Sequence, residues 1–177
     1  MPSGNTHDAI TFILTVPAAI ITYYALSSPL AAAVGAAAFL FGGLMFGPDL
    51  DLVSKQYSRW RFFRFLWLPY RSFFKHRSRW THGLLFGTLF RVVYLMGIVT
   101  VLLFAASYFS ALIFKTEMPR IVDLAAGWTF AGRVARQHAG AELLFLVFFG
   151  MWSGAASHTF TDMAGSYIKT GRSGGFL

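Results

Sequence analysis

The chain has 177 residues, of which 56% are hydrophobic and 12% charged, with a mean hydropathy of +0.56 and a net charge of +8. Soluble domains carry about 25% charged residues, so this composition excludes an ordinary soluble domain. The absence of cysteine excludes disulfides, thiolate nucleophiles, iron–sulfur clusters and cysteine-ligated zinc. The chain is therefore predicted to be a single all-α membrane domain over residues 1–177, in which any metal binds imidazole and carboxylate groups.

Four hydrophobic segments predict four transmembrane helices, since a spanning helix needs about 20 apolar residues. They cover residues 9–26, 30–47, 83–110 and 141–165. Pro17 predicts a kink in the first span, and Gly43 with Gly47 forms a GxxxG spacing in the second. Small residues over 150–157 predict close helix packing in the last span. Residues 121–135, which precede that span, are predicted to form a re-entrant or surface helix.

A basic and aromatic segment, residues 53–80, separates the second and third spans and contains no acidic residue. Aromatic residues interleaved with long cations are typical of a segment lying at headgroup level. Pro69 predicts that the segment forms two short pieces. The pattern favours anionic lipid over nucleic acid as the partner. The excess of lysine and arginine places this segment on the cytoplasmic side, and four spans then place both termini there as well.

Eight imidazole and carboxylate groups fall into four short clusters, each at the edge of a hydrophobic segment. The clusters are His7 with Asp8, Asp49 with Asp51, His76 with His82, and His158 with Asp162. Four spans bring all of them to one membrane face, whereas His138 and Glu142 fall at the opposite face and are excluded. Imidazole and carboxylate favour zinc, manganese or iron over soft metals. The clusters therefore predict a site for one or two divalent metal ions.

The two strongest clusters each have an alternative interpretation. His158 and Asp162 are four residues apart, so on a helix they point from one face and could bind one ion. The aspartate could instead form only a hydrogen bond with a histidine one turn away. Asp49 and Asp51 could serve different ions, or one could support a ligand from behind, or both could belong to a solvated turn.

The weaker candidates also leave alternatives open. Asp8 could satisfy the free amides at the start of the first helix instead of binding metal, and His76 could simply belong to the basic segment. Arg77 is a candidate catalytic residue, because its planar fork suits a phosphate or acidic substrate, although a lipid headgroup would suit it equally. Arg91, about two turns inside the third span, is interpreted as structural or lipid-facing.

The order and spacing of these motifs resemble a known family. PSGxTHD, FGGLMFGPDLD, WLPYR with HRSRWTHG, and SHTFTD are similar to motifs of uncharacterised metal-binding integral membrane proteins common in cyanobacteria. More distantly, PDxD, HRxxTH and SHxxxD resemble predicted membrane-bound metal-dependent hydrolases. The resemblance implies metal ligation by His7, Asp49, Asp51, His76, His82, His158 and Asp162. The distant family often has a histidine where this chain has Leu52, so the resemblance does not imply the same number of ions.

Two classes of function are compatible with this pattern. A two-metal hydrolase would act on a phosphoester in an amphiphile, such as a phospholipid or isoprenoid phosphate, with Arg77 and Arg79 holding the head. A non-catalytic subunit or assembly factor would use the metal to tie helix ends together and would bind another membrane protein. A transporter is less compatible, because the acids lie at one face. Either protein is expected in a plasma or thylakoid membrane.

Overall fold

The structure, a computed structural model, describes residues 3–74, 83–84 and 86–171, and all regular elements in these ranges are helical. The all-α prediction is therefore confirmed. The long helices are α1 (Gly4–Leu26), α2 (Pro29–Leu44), α5 (Phe86–Phe114) and α6 (Ile121–Thr170), and the short ones are α3 (Lys55–Arg59) and α4 (Leu68–Phe73). Two 3₁₀ turns cover Pro48–Asp51 and Arg61–Trp67.

Within the described residues, four segments are long and apolar enough to cross a membrane, which confirms the predicted number of spans. They are Gly4–Leu26, Pro29–Asp51, Phe86–Phe114 and Glu142–Thr170. The first helix begins earlier than the hydropathy indicates, because Ser3 caps it and accepts a hydrogen bond from the Thr6 N–H at 3.3 Å. His7 and Asp8 consequently lie within the helix rather than ahead of it. The helix continues through Pro17.

Glycines bring α2 into backbone contact with the C-terminal limb of α6 (Glu142–Thr170). A Cβ added at Gly42 would collide with the backbone of Met151, and one added at Gly154 would collide with the backbone of Phe39. Helix backbones approach this closely only where side chains are absent or very small. The predicted packing of the small residues in the last span is confirmed.

The predicted GxxxG pair serves two separate contacts. A Cβ at Gly43 would lie 2.5 Å from the Thr11 methyl group, so Gly43 lets α1 approach α2. Gly47 lies beyond the end of α2, and a Cβ there would collide with the side-chain amide of Gln56. Gly47 therefore makes room for a buried side chain rather than for a helix. This position of Gln56 bears directly on the candidate site.

The described part of the basic segment forms three short helical pieces that dock on α5 and on the end of α2. A new piece begins beside Pro69, as predicted, because this proline lies in the first turn of α4, where its missing N–H costs no hydrogen bond; the described segment nevertheless has three pieces and not two. Trp67 and Tyr70 are fully buried against Phe46. The Tyr94 hydroxyl donates to the backbone carbonyl of residue 66 at 2.6 Å. Burial raises the pKa of Tyr70 to about 12.

The chain between the third and fourth spans is helical from Ile121, which confirms the helix predicted over 121–135. Asp123 closes its first turn by accepting a hydrogen bond from the Arg120 N–H at 2.8 Å. The Trp128 indole donates to the Thr100 hydroxyl at 2.9 Å, so this limb of α6 lies alongside α5. Backbone dihedral angles at Gly140 (φ 71°, ψ 159°) interrupt the helix before the last span.

Candidate metal centre

Three parts of the fold bring imidazole and carboxylate groups to one point. His7 comes from the start of α1, Asp49 from the 3₁₀ turn after α2, and His158 and Asp162 from the C-terminal limb of α6. The last two are one helical turn apart, as their spacing predicts. These four residues are called the His–Asp cluster below.

Their ligand atoms lie close together. His7 Nε2 is 3.2 Å from Asp162 Oδ1, and His158 Nε2 is 3.3 Å from Asp49 Oδ2 and 3.8 Å from Asp162 Oδ2. The two imidazole rings are stacked, with centroids 3.8 Å apart and planes inclined by 13°. Suitable atoms of His7, His158 and Asp162 all lie within 4.8 Å of one another. The geometry therefore gathers two nitrogen and two carboxylate donors around one small volume.

These separations suit ligands around one metal ion. A charge-assisted hydrogen bond between nitrogen and carboxylate measures about 2.7–2.9 Å. Bonds of about 2.0–2.2 Å to a shared ion instead place neighbouring ligand atoms about 3.0–3.5 Å apart. Two of the observed distances, 3.2 and 3.3 Å, fall in this second range, and the third, 3.8 Å, lies just beyond it. Imidazole and carboxylate are also the donors that zinc, manganese and iron accept.

The charges of the cluster fit a cation as well. Asp162 is only 2% exposed, and its ion-pair partners within the described residues are His7 and His158, with no lysine or arginine in reach. In the same part of the chain, His7 Nδ1 and His158 Nε2 are buried and make no hydrogen bond. A buried carboxylate is costly unless a positive charge compensates it. A divalent ion would supply that charge.

Gln56, which the sequence did not single out, holds the cluster from behind. Its amide nitrogen donates to the Gly43 carbonyl at 2.8 Å and lies 3.1 Å from His158 Nδ1. Its amide oxygen accepts from the Asp49 N–H at 3.1 Å. One buried side chain thus joins the end of α2, the 3₁₀ turn and α6. Side chains in this position orient metal ligands.

A polar cavity of about 240 Å³ opens onto the cluster. Its lining includes His7, Asp8, Asp49, Lys55, Gln56 and His158. The half-exposed ammonium group of Lys55 stands at this cavity. The cluster is therefore buried on the protein side and accessible to small polar molecules on the other.

One family model, described as “Uncharacterized metal-binding protein (DUF2227)”, matches residues 2–172. The chain belongs to this family. An uncharacterized protein from Aquifex aeolicus (strain VF5) is 45% identical over 58 residues, which are 32% of this chain. The match covers 40% of that relative's own length. No solved structure matches the chain.

Membership of the metal-binding family confirms the coarser part of the resemblance, and the four long apolar helices are compatible with a membrane protein. The His–Asp cluster is the candidate metal site of this chain. Two separate findings, the family match and the grouping of His7, His158 and Asp162, support a metal ion there.

Asp8 points to a different set of partners. Its Oδ2 accepts hydrogen bonds from Arg59 at 2.6 Å and from Lys55 at 3.3 Å, and Lys55 also donates to Asn5. The alternative in which Asp8 caps the first helix is wrong, because Ser3 does so. Metal ligation by Asp8 remains a prediction, and its observed contacts position two cations at the edge of the cavity.

Asp51 lies at the other end of the same 3₁₀ turn as Asp49 and is 5% exposed. Its charge acts on Arg91 and Tyr70. Arg91 is only 2% exposed and donates to the Thr88 hydroxyl at 2.9 Å. The lipid-facing interpretation of Arg91 is therefore wrong, because α5 turns this side chain inward.

Three predicted site residues, His76, Arg77 and His82, lie outside the described residues and remain predictions. His138 and Glu142 line a separate cavity of about 520 Å³ together with Leu26 and Ser28. Leu26 ends α1 and Ser28 precedes α2, so this cavity lies at the opposite end of these two helices from His7 and Asp49. The structure therefore agrees with the exclusion of His138 and Glu142 from the site.

Proposed function

We propose that this protein is a metal-dependent hydrolase that acts on an amphiphilic, phosphate-containing substrate at the cytoplasmic face of the membrane. The main support is the one-sided access to the His–Asp cluster, which is buried among helices yet opens onto a polar cavity of about 240 Å³. Catalytic metal sites keep a coordination position for water or substrate, whereas structural sites are closed by protein ligands. Access of this kind favours catalysis over a purely structural role.

His7, Asp49, His158 and Asp162 would hold the ion. When bound, the ion would supply a Lewis acid that polarises a phosphoryl oxygen and increases the acidity of water. Gln56 orients His158, and His7, His158 and Asp162 are buried and so shielded from bulk water. Lys55, which is half-exposed at the cavity, would bind the anionic head of the substrate.

Asp51, His76 and His82 remain our proposed ligands for a second ion, and Arg77 remains a proposed clamp for the phosphate. Asp49 is part of the His–Asp cluster, whereas the charge of Asp51 acts on Arg91, so Asp51 would serve a different ion from Asp49. A two-metal site could hold both the attacking and the leaving oxygen.

The proposed orientation and partner depend on the same end of the molecule. Within the described part of the basic segment, Lys55 and Arg59 already contact Asp8 beside the cluster. Arginine and lysine near a span end favour the cytoplasmic side and attract anionic headgroups. We therefore place the site in the cytoplasmic leaflet of a plasma or thylakoid membrane.

A non-catalytic role is the second candidate, and one observation favours it. His7 meets Asp162, and His158 meets Asp49, so a bound ion would tie α1, the 3₁₀ turn and α6 together. Such an ion would contribute to folding in a subunit or assembly factor that binds another membrane protein. Spectroscopy of the metal-loaded protein distinguishes the two roles, because only the hydrolase requires an exchangeable water ligand.

The direct test is metal-dependent release of phosphate or headgroup from anionic amphiphiles in mixed micelles. His158→Ala should abolish release, whereas His138→Ala, which lies ahead of the opposite end of that span, should leave it unchanged. Elemental analysis of both variants establishes whether metal is lost together with activity. Full turnover by His158→Ala, or a wild-type protein that holds metal and cleaves no such amphiphile, would contradict the proposal.

A further inference from the structure

An apolar groove of about 800 Å³ runs between α1 and the C-terminal limb of α6. Both helices pack against α2 and make few contacts with each other, and Phe39 of α2 also lines the groove. Ile10 and Leu14 line one wall, and Phe160 and Ala164 line the other. Because both walls belong to spanning segments, the groove lies at the depth of the hydrocarbon.

The groove runs beside the metal cluster. Thr6 and Ser157 line it, while the next residues along the two helices, His7 and His158, line the polar cavity. The stacked imidazole rings thus line the polar cavity, and residues next to them in sequence line the apolar groove. A molecule that occupied both would pass directly beside the candidate metal ligands.

Hydroxyl groups in the groove are already used by the helix that carries them. Ser153, Ser157 and Thr161 each donate to a backbone carbonyl of α6, at 3.0, 2.7 and 2.8 Å. An occupant consequently meets methyl, methylene and aromatic surface and gains no hydrogen bond from these donors. The wall chemistry suits hydrocarbon.

The size of the groove limits the occupant further. A helix is about 10–12 Å across with its side chains, so ten residues of a partner helix need more than about 1,000 Å³. Pockets of about 300–1,000 Å³ suit single small molecules. The volume of the groove, about 800 Å³, therefore suits one hydrocarbon chain better than a partner helix.

We propose that the groove binds the hydrocarbon chain of an amphiphile whose anionic head enters the polar cavity beside Lys55. This position would present the bond between head and chain to the His–Asp cluster. The inference rests on the proposed function for its substrate class, but chain binding can be measured without turnover. It also assigns a role to α1 and α6 surfaces that otherwise resemble ordinary lipid-facing helix.

The test uses the full chain in nanodiscs and a phosphatidic acid probe that carries a photoreactive diazirine in one acyl chain. Cross-links should concentrate on Leu14 and Phe160. Ala164→Trp fills the groove and should lower the labelling about tenfold, the change expected when about two methylene groups lose their burial. Ala106→Trp, the same change at an exposed position of α5, should label like the wild type.

The outcomes separate this inference from the proposed hydrolase. His158→Ala should retain groove labelling although it loses metal and turnover. Groove labelling without any wild-type turnover would overturn the proposed function and leave the groove assignment intact. Uniform labelling of all spans, or unchanged labelling in Ala164→Trp, would overturn the groove assignment even if a short, soluble phosphoester were hydrolysed. A diazirine alcohol of equal chain length should compete less well than the phosphate probe, and equal competition would contradict the role of the head.

Discussion

Replacement of Gln56 by leucine should weaken both the fold and the metal site. Gln56 is buried, and its amide contacts the Gly43 carbonyl, the Asp49 N–H and His158 Nδ1. A leucine of similar size keeps the volume but leaves two backbone groups without this partner. Each buried polar group that loses its partner costs about 1–3 kcal/mol, so the free energy of unfolding should fall by about 2–6 kcal/mol.

Metal affinity should fall for a different reason. Removing a side chain that orients a metal-binding histidine typically lowers affinity by about 10–100-fold. A glutamate at position 56 separates the two effects. The glutamate still accepts a hydrogen bond from the Asp49 N–H. It can also accept one from a protonated His158 Nδ1, which leaves Nε2 free for an ion. Gln56→Glu should therefore lose stability, because the Gly43 carbonyl lacks its donor, but bind metal at least as tightly as the wild type.

Purified protein in nanodiscs allows both quantities to be measured. Thermal unfolding followed by tryptophan fluorescence reports stability without added metal, and competition with a chelator reports affinity. Gln137→Leu is the matched control, since this glutamine is exposed on the N-terminal limb of α6. If Gln56→Leu bound metal as tightly as Gln137→Leu, the proposed orientation of His158 by Gln56 would be refuted.

Three further predictions follow from the same packing and charges. Asp162→Asn removes the buried charge with little change in shape and should lower bound metal by at least about tenfold, measured by elemental analysis; unchanged content would rule Asp162 out as a ligand. Gly154→Leu should lower the unfolding temperature sharply, because a side chain there meets the backbone of Phe39, whereas Gly127→Leu, with nothing within 4 Å, should not. Burial raises the pKa of Tyr70 from 10.0 to about 12, so stability should be constant below pH 10 and fall as the pH rises towards 12; Tyr70→Phe should lack this fall in alkaline unfolding curves.

Hydropathy was sufficient for the four spans because membrane helices must be long and apolar whatever their packing. The convergence of His7, Asp49, His158 and Asp162 was also predictable, since each lies near a span end and an even number of spans returns the chain to one face. The start of α1 was harder to predict from hydropathy. Ser3 extends α1 over polar residues that a hydropathy average excludes, and this extension is what turns His7 towards α6.

Inward-facing side chains could be assigned only after the helices had been packed. Arg91 is a lone charge in a hydrophobic helix, and its sequence neighbours allow it to face lipid or protein equally. Gln56 carries one weak signal, as the single uncharged amide among the lysines and arginines of the basic segment. The burial of Gln56 depends on Gly47, because the missing side chain of Gly47 leaves space for the Gln56 amide. This contact between Gly47 and Gln56 can be recognised only in the folded structure.

The distribution of charge gives a physical reason for a metal ion in this fold. The chain has seven acidic residues, and Asp8, Asp49, Asp51 and Asp162 all lie at one end of the helices. Asp8 is neutralised by Arg59 and Lys55, and the charge of Asp51 is opposed by Arg91. Asp162 differs, because the partners it has within the described part of the chain are two imidazoles. A buried carboxylate needs a compensating positive charge, and a bound cation would supply it in this arrangement.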